Sequence, residues 1–134
     1  MAFVGLLDTN ILSAIMRDAD GTLRRRVRAV GADAFCTSVI VASELRFGAE
    51  RTQSLRLKRE VEEILTAITV VPFEPPAAIQ YARVRVALER QGTPIGANDL
   101  FIAAHALALD LVLVTANTGE FERVPRLRVE NWLD

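Results

Sequence analysis

The chain has 134 residues, a hydrophobic fraction of 51% and a formal net charge of −1 at pH 7. These values predict a single folded domain over residues 1–134 and argue against a disordered chain. The longest apolar stretches are too short, or too interrupted by charge, to cross a bilayer, and the N-terminus lacks the features of a secretory signal. The single cysteine, Cys36, excludes an intramolecular disulfide and is expected in the core. We therefore expect no membrane association and a cytoplasmic location.

Buried strands and helices alternate through the first half of the chain. Apolar runs predict strands at residues 3–7 and 34–40, and helical spacing follows each of them. A further helix is predicted at 22–30, where four arginines are concentrated. Ser54 is the expected cap of an amphipathic helix over 54–68.

The second half continues the alternation. We predict a strand at 69–73 that ends before Pro75 and Pro76, and a helix over 77–91. Asn98 is expected to cap the next helix, which is apolar nearly all round and therefore central. A strand at 111–115, a short helix through Phe121 and an edge strand at 126–132 complete the chain. Strands that alternate with helices predict an α/β fold with a central, mainly parallel sheet.

Three carboxylates stand out because each lies among apolar or helix-forming neighbours. They are Asp8 in LLDTNIL, Glu44 in VASELRFGAE and Asp99 in GANDLFIAAHA. Asp8 follows the first strand, and ligands of open parallel sheets bind beyond the carboxyl ends of the strands. Each acid also has a structural explanation as a helix cap or first-turn residue. For any one of these acids the structural explanation is sufficient. For the three together, spacing alone supports a shared binding site and a set of helix caps equally.

Four blocks taken together resemble one known family. In order and interval, LLDTNIL, SVIVASELRFGAE, IGANDLFIAAHALAL and LVTANTGEFERVPRLRVENW are similar to the blocks of PIN-domain ribonucleases of the VapC toxin type. The resemblance extends from residue 6 to residue 132. It implies a small α/β/α sandwich that binds Mg²⁺ or Mn²⁺ through its acidic residues and cleaves RNA.

The resemblance also implies roles for individual residues. Asp8, Glu44 and Asp99 match the three principal carboxylates, which would be catalytic and would bind the metal. The fourth acidic place falls to Glu120, because many family members have an aspartate where this chain has Asn117. Small polar residues that would hydrogen-bond the carboxylates are Thr9, Asn10, Ser43 and Thr115, with Asn117 as a further polar candidate. Capping and turn formation are the alternative explanation for these residues.

The expected chemistry needs no histidine or cysteine. A cation held by carboxylates and the substrate phosphate can activate water for attack on a phosphodiester. His105 lies six residues beyond Asp99 in the same helix and points elsewhere, so a packing role is favoured. No H-x-H, C-x-x-C or H-E-x-x-H motif indicates zinc.

Arginine accounts for 15 of the 16 basic residues. Because arginine forms bidentate contacts with phosphate, Arg46 and the run Arg24, Arg25 and Arg26 are candidates for RNA binding. Solvated helix positions are the alternative, and Arg46 has Glu50 four residues on as a possible ion-pair partner.

The resemblance implies partners as well. They are a cognate VapB-type antitoxin that inserts a C-terminal segment into the active-site groove, a second copy of the chain in a homodimer, and an RNA substrate. The groove is expected between the helices at 41–52 and 54–68. The family members whose sequence pattern is most similar to this chain cleave tRNA, so the resemblance implies tRNA as the substrate. The anticodon loop of initiator tRNA is the best candidate, and its cleavage would inhibit translation.

Two other readings remain open. One is a catalytically silent PIN scaffold that binds RNA or protein, although all three principal carboxylates are present. The other is a haloacid-dehalogenase-like phosphatase, which needs a second aspartate where this chain has Asn10.

Overall fold

A five-stranded sheet with strand order β3-β2-β1-β4-β5 forms the centre of the protein. The computed structural model describes residues 2–18 and 20–133. All the pairings between these strands are parallel, as expected for strands joined through helices. The strands are β1 (Gly5–Leu7), β2 (Phe35–Ser38), β3 (Thr69–Val71), β4 (Val112–Val114) and β5 (Val129–Glu130).

Seven α-helices flank the sheet in the described part of the chain, with a 3-10 turn at Ala32–Ala34 before β2. The predicted α/β architecture is therefore confirmed. None of the described helices is long and apolar enough to cross a bilayer. The helices are α1 (Thr9–Met16), α2 (Thr22–Val30), α3 (Val39–Thr52), α4 (Leu55–Ala67), α5 (Pro75–Gln91), α6 (Ala97–Leu109) and α7 (Thr118–Phe121).

The central strands carry the core. All three residues of β1 are buried, and Cys36 in β2 is fully buried, as predicted. Helix α6 contributes a nearly continuous buried surface, which agrees with its apolar sequence. Burying a large aliphatic side chain stabilises a fold by about 1.5–3 kcal/mol. This core holds the polar ends of the strands in fixed positions.

Helix starts differ from the sequence prediction at three places. The strand predicted at 34–40 ends at Ser38, whose hydroxyl accepts a 3.0 Å hydrogen bond from the Ile40 amide and so begins α3. Helix α5 begins at Pro75, because proline is well tolerated in the first turn of a helix. The prediction that Asn98 caps α6 is wrong: Gly96 occupies the cap, and Asn98 lies within the first turn. The cap at Ser54 is confirmed by a 3.1 Å bond from the Leu57 amide.

Candidate active site

The candidate site lies where the order of the strands reverses in the parallel sheet, between β1 and β4. Strand β1 pairs with β2 on one side and with β4 on the other, so the connections leave the carboxyl ends of β1 and β4 in opposite directions. Such a switch point leaves a crevice beyond the strand ends. Asp8 follows β1 and Thr115 follows β4, which places both residues at this crevice.

Asp8 is the most buried of the site's carboxylates, with 3% of its surface exposed. Its Oδ1 accepts from the backbone amide of Thr9 at 2.8 Å, and its Oδ2 accepts from Thr115 Oγ1 at 2.8 Å. Burial raises the pKa of Asp8, the two hydrogen bonds lower it, and the nearby charge of Glu44 raises it further. Asp8 therefore caps α1 and also presents a costly buried charge to the crevice.

Glu44 reaches the same place from α3. Its Oε1 accepts a 2.6 Å hydrogen bond from Thr9 Oγ1, and its Oε2 accepts a 3.3 Å bond from Asn98 Nδ2. Thr9 thus contacts Asp8 through its backbone and Glu44 through its side chain. This shared neighbour holds the first two predicted carboxylates together.

Asp99 and Glu120 form the other half of the site and are bridged by Asn117. The side-chain amide of Asn117 donates to Asp99 Oδ2 at 3.1 Å and to Glu120 Oε2 at 2.8 Å. The pKa of Asp99 is raised to about 8 by burial, by its hydrogen bond with Glu120, and by the charges of Asp8, Glu120 and Glu44. The pKa of Glu120 is lowered, chiefly by the hydrogen bond from Asp99. Asp99 is therefore the member of the pair that keeps its proton at higher pH, while Glu120 is favoured as the carboxylate.

A hydrogen-bonded network behind the carboxylates fixes Thr115. The Thr115 hydroxyl accepts from the Asn117 amide at 3.0 Å and lies 3.4 Å from Asn10 Nδ2. Asn10 Oδ1 in turn accepts from the Ala116 amide at 3.0 Å. Asn10 therefore supports Thr115 and the loop after β4, and it reaches the carboxylates only through Thr115.

The structure brings all four predicted acidic residues into one cluster. Asp8, Glu44 and Glu120 each act electrostatically on Asp99, although they come from separate parts of the chain. Ser43 does not join them. Its hydroxyl donates to the Val39 carbonyl at 2.9 Å, within α3, so the prediction that it hydrogen-bonds a carboxylate is wrong.

Three contributors to the cluster were missed in the sequence. Asn98 contacts Glu44, and the Gly96 amide donates to Glu120 Oε1 at 3.3 Å. Arg123 lowers the pKa of Glu120 and donates to the Pro94 carbonyl at 3.0 Å, which places a guanidinium beside the acidic cluster. The three-residue spacing of Glu120 and Arg123 was the available signal for this last contact.

The arginines proposed for RNA binding contact groups outside the acidic cluster. Arg46 forms a bidentate ion pair with Glu62 of α4, at 2.9 and 3.0 Å, so the suggested pairing with Glu50 is wrong. Arg25 hydrogen-bonds the Asp20 carbonyl and Thr22, and Arg26 stacks over the Trp132 ring at 4.6 Å. Arg24 lines a groove.

That groove has a volume of about 500 Å³ and lies between α1, α2 and α4. Of the two walls expected for an antitoxin groove, the helix at 54–68 lines it and the helix at 41–52 does not. Apolar side chains form its floor and charged ones its rim. Among its lining residues are Ile15, Met16, Val27, Arg28, Glu60 and Ile64.

The acidic cluster fits a hard divalent cation held partly through water. Within residues 2–18 and 20–133, no group of three Asp, Glu, His or Cys side chains is close enough to hold a metal ion directly, and no lysine or arginine forms an ion pair with Asp8, Glu44 or Asp99. The available donors are carboxylate, hydroxyl and amide oxygens. Mg²⁺ is commonly bound by one or two carboxylates and keeps several waters, which suits this arrangement.

Comparison with known proteins identifies the family. The model of the PIN domain family matches residues 5–127. The chain is a PIN domain. A relative from Haemophilus influenzae named Ribonuclease VapC2 is 36% identical over 129 residues, covering 96% of this chain and 97% of the relative. A relative from Shigella flexneri named tRNA(fMet)-specific endonuclease VapC is 37% identical over 128 residues, covering 95% and 96%.

Solved structures agree with this assignment. The PIN domain described here superposes with a TM-score of 0.88 on a chain of VapBC2 from Rickettsia felis bound to a promoter DNA fragment, at 30% identity, covering 97% of this chain and 99% of the other. It superposes with a TM-score of 0.87 on a chain of DNA-bound VapBC from Salmonella typhimurium, at 36% identity, covering 97% and 98%. Within the PIN domains, the chain belongs to the VapC type.

Proposed function

We propose that this PIN domain is a Mg²⁺- or Mn²⁺-dependent endoribonuclease that acts as the toxin of a toxin–antitoxin pair. The observation that carries the proposal is the convergence of Asp8, Glu44, Asp99 and Glu120 on the crevice at the switch point of the sheet. Carboxyl groups placed in this way do not stabilise the fold near neutral pH, because burial, and then the neighbouring carboxylates, raise the pKa of Asp8 and Asp99. Such perturbed carboxyl groups in a cleft are typical of functional sites.

The carboxylates would hold the cation and position the scissile phosphodiester. Asp8 and Asp99 are the proposed direct ligands, with Glu44 and Glu120 contributing through water. When bound, the cation supplies positive charge that polarises a phosphate oxygen and the attacking water. Thr115 and Thr9 orient Asp8 and Glu44, and Asn117 holds Asp99 against Glu120. Arg123, at the edge of the cluster, is available to neutralise RNA phosphates as they approach the acidic surface.

The proposed substrate is tRNA, with initiator tRNA as the first candidate. Support comes from the relative in Shigella flexneri and from another in Salmonella typhimurium, both named tRNA(fMet)-specific endonuclease VapC and both 37% identical to this chain. Cleavage in the anticodon loop would remove the tRNA from initiation and inhibit translation.

The proposed regulatory partner is a VapB-type antitoxin. Solved relatives are VapBC toxin–antitoxin assemblies, two of them bound to DNA. The groove between α1, α2 and α4 offers an apolar floor with charges of both signs at its rim, Arg24, Arg28, Glu60 and Glu63, which fits an amphipathic segment. A homodimer of the toxin and a hetero-oligomer with the antitoxin are the proposed assemblies.

The alternative function is a silent PIN scaffold that binds RNA or protein without cleaving it. The structure gives no specific support to this alternative, because the acidic cluster has the electrostatic cost of a catalytic site.

Sequencing of RNA 5′ ends tests cleavage and target together. Total RNA is incubated with wild type, Asp8→Asn or Asp33→Asn in Mg²⁺. Asp33 lies in the turn before β2, at the amino ends of the strands, whereas the acidic cluster lies at their carboxyl ends. It is the matched acidic control. We expect new ends within a tRNA anticodon loop from wild type and from Asp33→Asn, and none from Asp8→Asn. Identical ends with all three proteins, or none from wild type, would refute the nuclease.

A further inference from the structure

The pair Ser38 and His105 lies inside the protein, outside the acidic cluster. Ser38 is fully buried and His105 is 1% exposed. His105 Nδ1 and Ser38 Oγ are 2.7 Å apart, a short contact between residues far apart in the chain. A buried histidine with such a contact fixes the arrangement of the side chains around it, because each of its polar atoms needs a hydrogen-bond partner.

The hydrogen-bond directions follow from the neighbours of the pair. Burial lowers the pKa of His105, and a hydrogen bond to the Pro72 carbonyl opposes that shift. The imidazole is therefore neutral at pH 7, and its one N–H is donated to Pro72, because a carbonyl can only accept. Nδ1 is left as an acceptor for the Ser38 hydroxyl. Ser38 Oγ in turn accepts from the Ile40 amide, so every polar atom of the pair is satisfied.

The pair joins the two helices that carry Glu44 and Asp99. Ser38 caps α3 six residues before Glu44, and His105 lies in α6 six residues after Asp99, so each is ~9 Å along its helix from the carboxylate. A second contact joins the same helices, from Asn98 of α6 to Glu44 of α3. The start of α3 therefore meets the middle of α6, and the middle of α3 meets the start of α6. The helices are antiparallel along this contact and linked at two levels.

We propose that Ser38 and His105 are positioning residues that set the spacing of Glu44 and Asp99. The link at Asn98 is exposed and 3.3 Å long, so it cannot by itself prevent α3 from sliding along α6. The buried link is shorter and is held at a third point by Pro72. Phe73, the next residue, packs its ring edge-on to the imidazole at 5.3 Å and limits its rotation. This inference rests on the proposed function for its effect on catalysis, but not for its effect on geometry.

Two substitutions of His105 separate positioning from packing. Asparagine places its amide at the position of Nδ1 and can keep the bond to Ser38, but it leaves the larger cavity. Glutamine fills more of the space and reaches the position of Nε2, so it can keep Pro72 but loses Ser38. If His105 only packs, His105→Gln should be the milder change in every measurement. If His105 positions the carboxylates, stability and function should rank the two variants in opposite orders.

The experiment compares these variants with Ser38→Ala and with Ser54→Ala. Ser54→Ala is the matched control, because it likewise removes a serine cap, that of α4, and lowers stability away from the α3–α6 contact. For each protein we measure thermal unfolding, kcat and KM for RNA cleavage, Mn²⁺ affinity of the metal-free protein, and the backbone amide resonances of Glu44 and Asp99. The resonances need neither metal nor substrate.

We expect His105→Gln and Ser38→Ala to lower kcat by about tenfold or more with KM within about twofold, since small misplacements of catalytic groups are costly. Both variants should also bind Mn²⁺ more weakly and shift the Glu44 and Asp99 resonances. His105→Asn should stay closer to wild type in these readouts despite a lower unfolding temperature, and Ser54→Ala should match wild type. Activity that simply follows stability, or unshifted resonances in His105→Gln, would overturn the proposal. If wild type cleaves no RNA, the nuclease proposal fails alone, and the resonances still decide the positioning role.

Discussion

The hydroxyl of Thr115 donates a 2.8 Å hydrogen bond to Oδ2 of Asp8, and these residues follow the two strands that meet at the centre of the sheet. This bond holds a buried carboxylate whose charge is costly away from water. Thr115 itself is fully buried, so solvent water cannot take the place of its hydroxyl in this hydrogen bond. The geometry of the acidic site therefore depends on a neutral side chain.

Replacing Thr115 by valine tests this dependence. Thr115→Val keeps the shape but removes the donor, which should destabilise the fold by about 1–3 kcal/mol and raise the pKa of Asp8 further. RNA cleavage should fall strongly. Urea unfolding and initial cleavage rates provide the two readouts.

The matched control for this substitution is Thr37→Val in β2. Thr37 is equally buried, and its hydroxyl donates to the backbone carbonyl of Leu7 at 2.7 Å rather than to a carboxylate. We expect it to lose stability but to keep its cleavage rate. Comparable loss of cleavage in both variants would mean that Thr115 acts only through stability.

The pH dependence of stability tests the protonation of Asp99 beside Glu120. The pKa of Asp99 is about 8 in the folded protein and has an ordinary value of 3.8. The folded state therefore keeps a proton that the unfolded chain releases, so this group stabilises the metal-free protein most at low pH. That stability is lost as the pH rises through about 8. Asp99→Asn should remove most of the slope, while Asp33→Asn should keep it, in urea unfolding between pH 5 and pH 9. An unchanged slope in Asp99→Asn would contradict the assignment.

Cation binding should stabilise the protein because it relieves repulsion among the carboxylates. We expect Mg²⁺ or Mn²⁺ to raise the unfolding temperature, and the increase should be larger at pH 8 than at pH 6, since a cation must displace the proton on Asp99. Differential scanning fluorimetry with an ionic-strength-matched KCl control measures this effect. An equal increase in Asp8→Asn or Asp99→Asn would show that the cation binds elsewhere.

Asn117→Asp adds a fifth carboxylate to the cluster. The Asn117 amide donates to both Asp99 and Glu120. The variant replaces this donor with a carboxylate beside these two acids. Stability of the metal-free protein at pH 8 should fall, and Mn²⁺ affinity should increase, because more negative charge surrounds the cation. Calorimetric titration and urea unfolding measure both changes. Weaker Mn²⁺ binding would indicate that the Asn117 amide is needed to orient Asp99.

The acidic site was predicted from the resemblance to PIN-domain ribonucleases, because the pattern of strands and helices alone left a site and a set of helix caps equally well supported. Asp8 could be placed from the apolar run before it, and Asp99 from the helix after it. The contacts between helices could not be predicted this way. Helical spacing offered Glu50 as one alternative partner for Arg46, but the packing of α3 on α4 presents Glu62 instead. Asparagine is a common capping residue, so the sequence indicated a cap at Asn98. Its bond to Glu44 depends on where α3 lies against α6.

The small polar residues next to the carboxylates were predicted in part: Thr9, Thr115 and Asn117 hydrogen-bond them, but Ser43 does not. Ser43 adjoins Glu44 in sequence, but successive helix residues point in different directions, so its hydroxyl returns to the Val39 carbonyl. Thr9 instead supplies the bond to Glu44 from a different helix. His105 was correctly predicted to be a buried packing residue, yet its bond to Ser38 depends on how α6 lies against β2, which periodicity does not specify.

The most direct test of a single cation-dependent catalytic centre is the rate of tRNA cleavage by wild type, Asp8→Asn and Asp99→Asn, measured in Mg²⁺ and in excess EDTA. We predict cleavage by wild type in Mg²⁺ only, with each variant reduced to the rate that wild type shows in EDTA. Cleavage by the Asp8→Asn, Asp99→Asn double variant in EDTA at the wild-type rate would contradict the account.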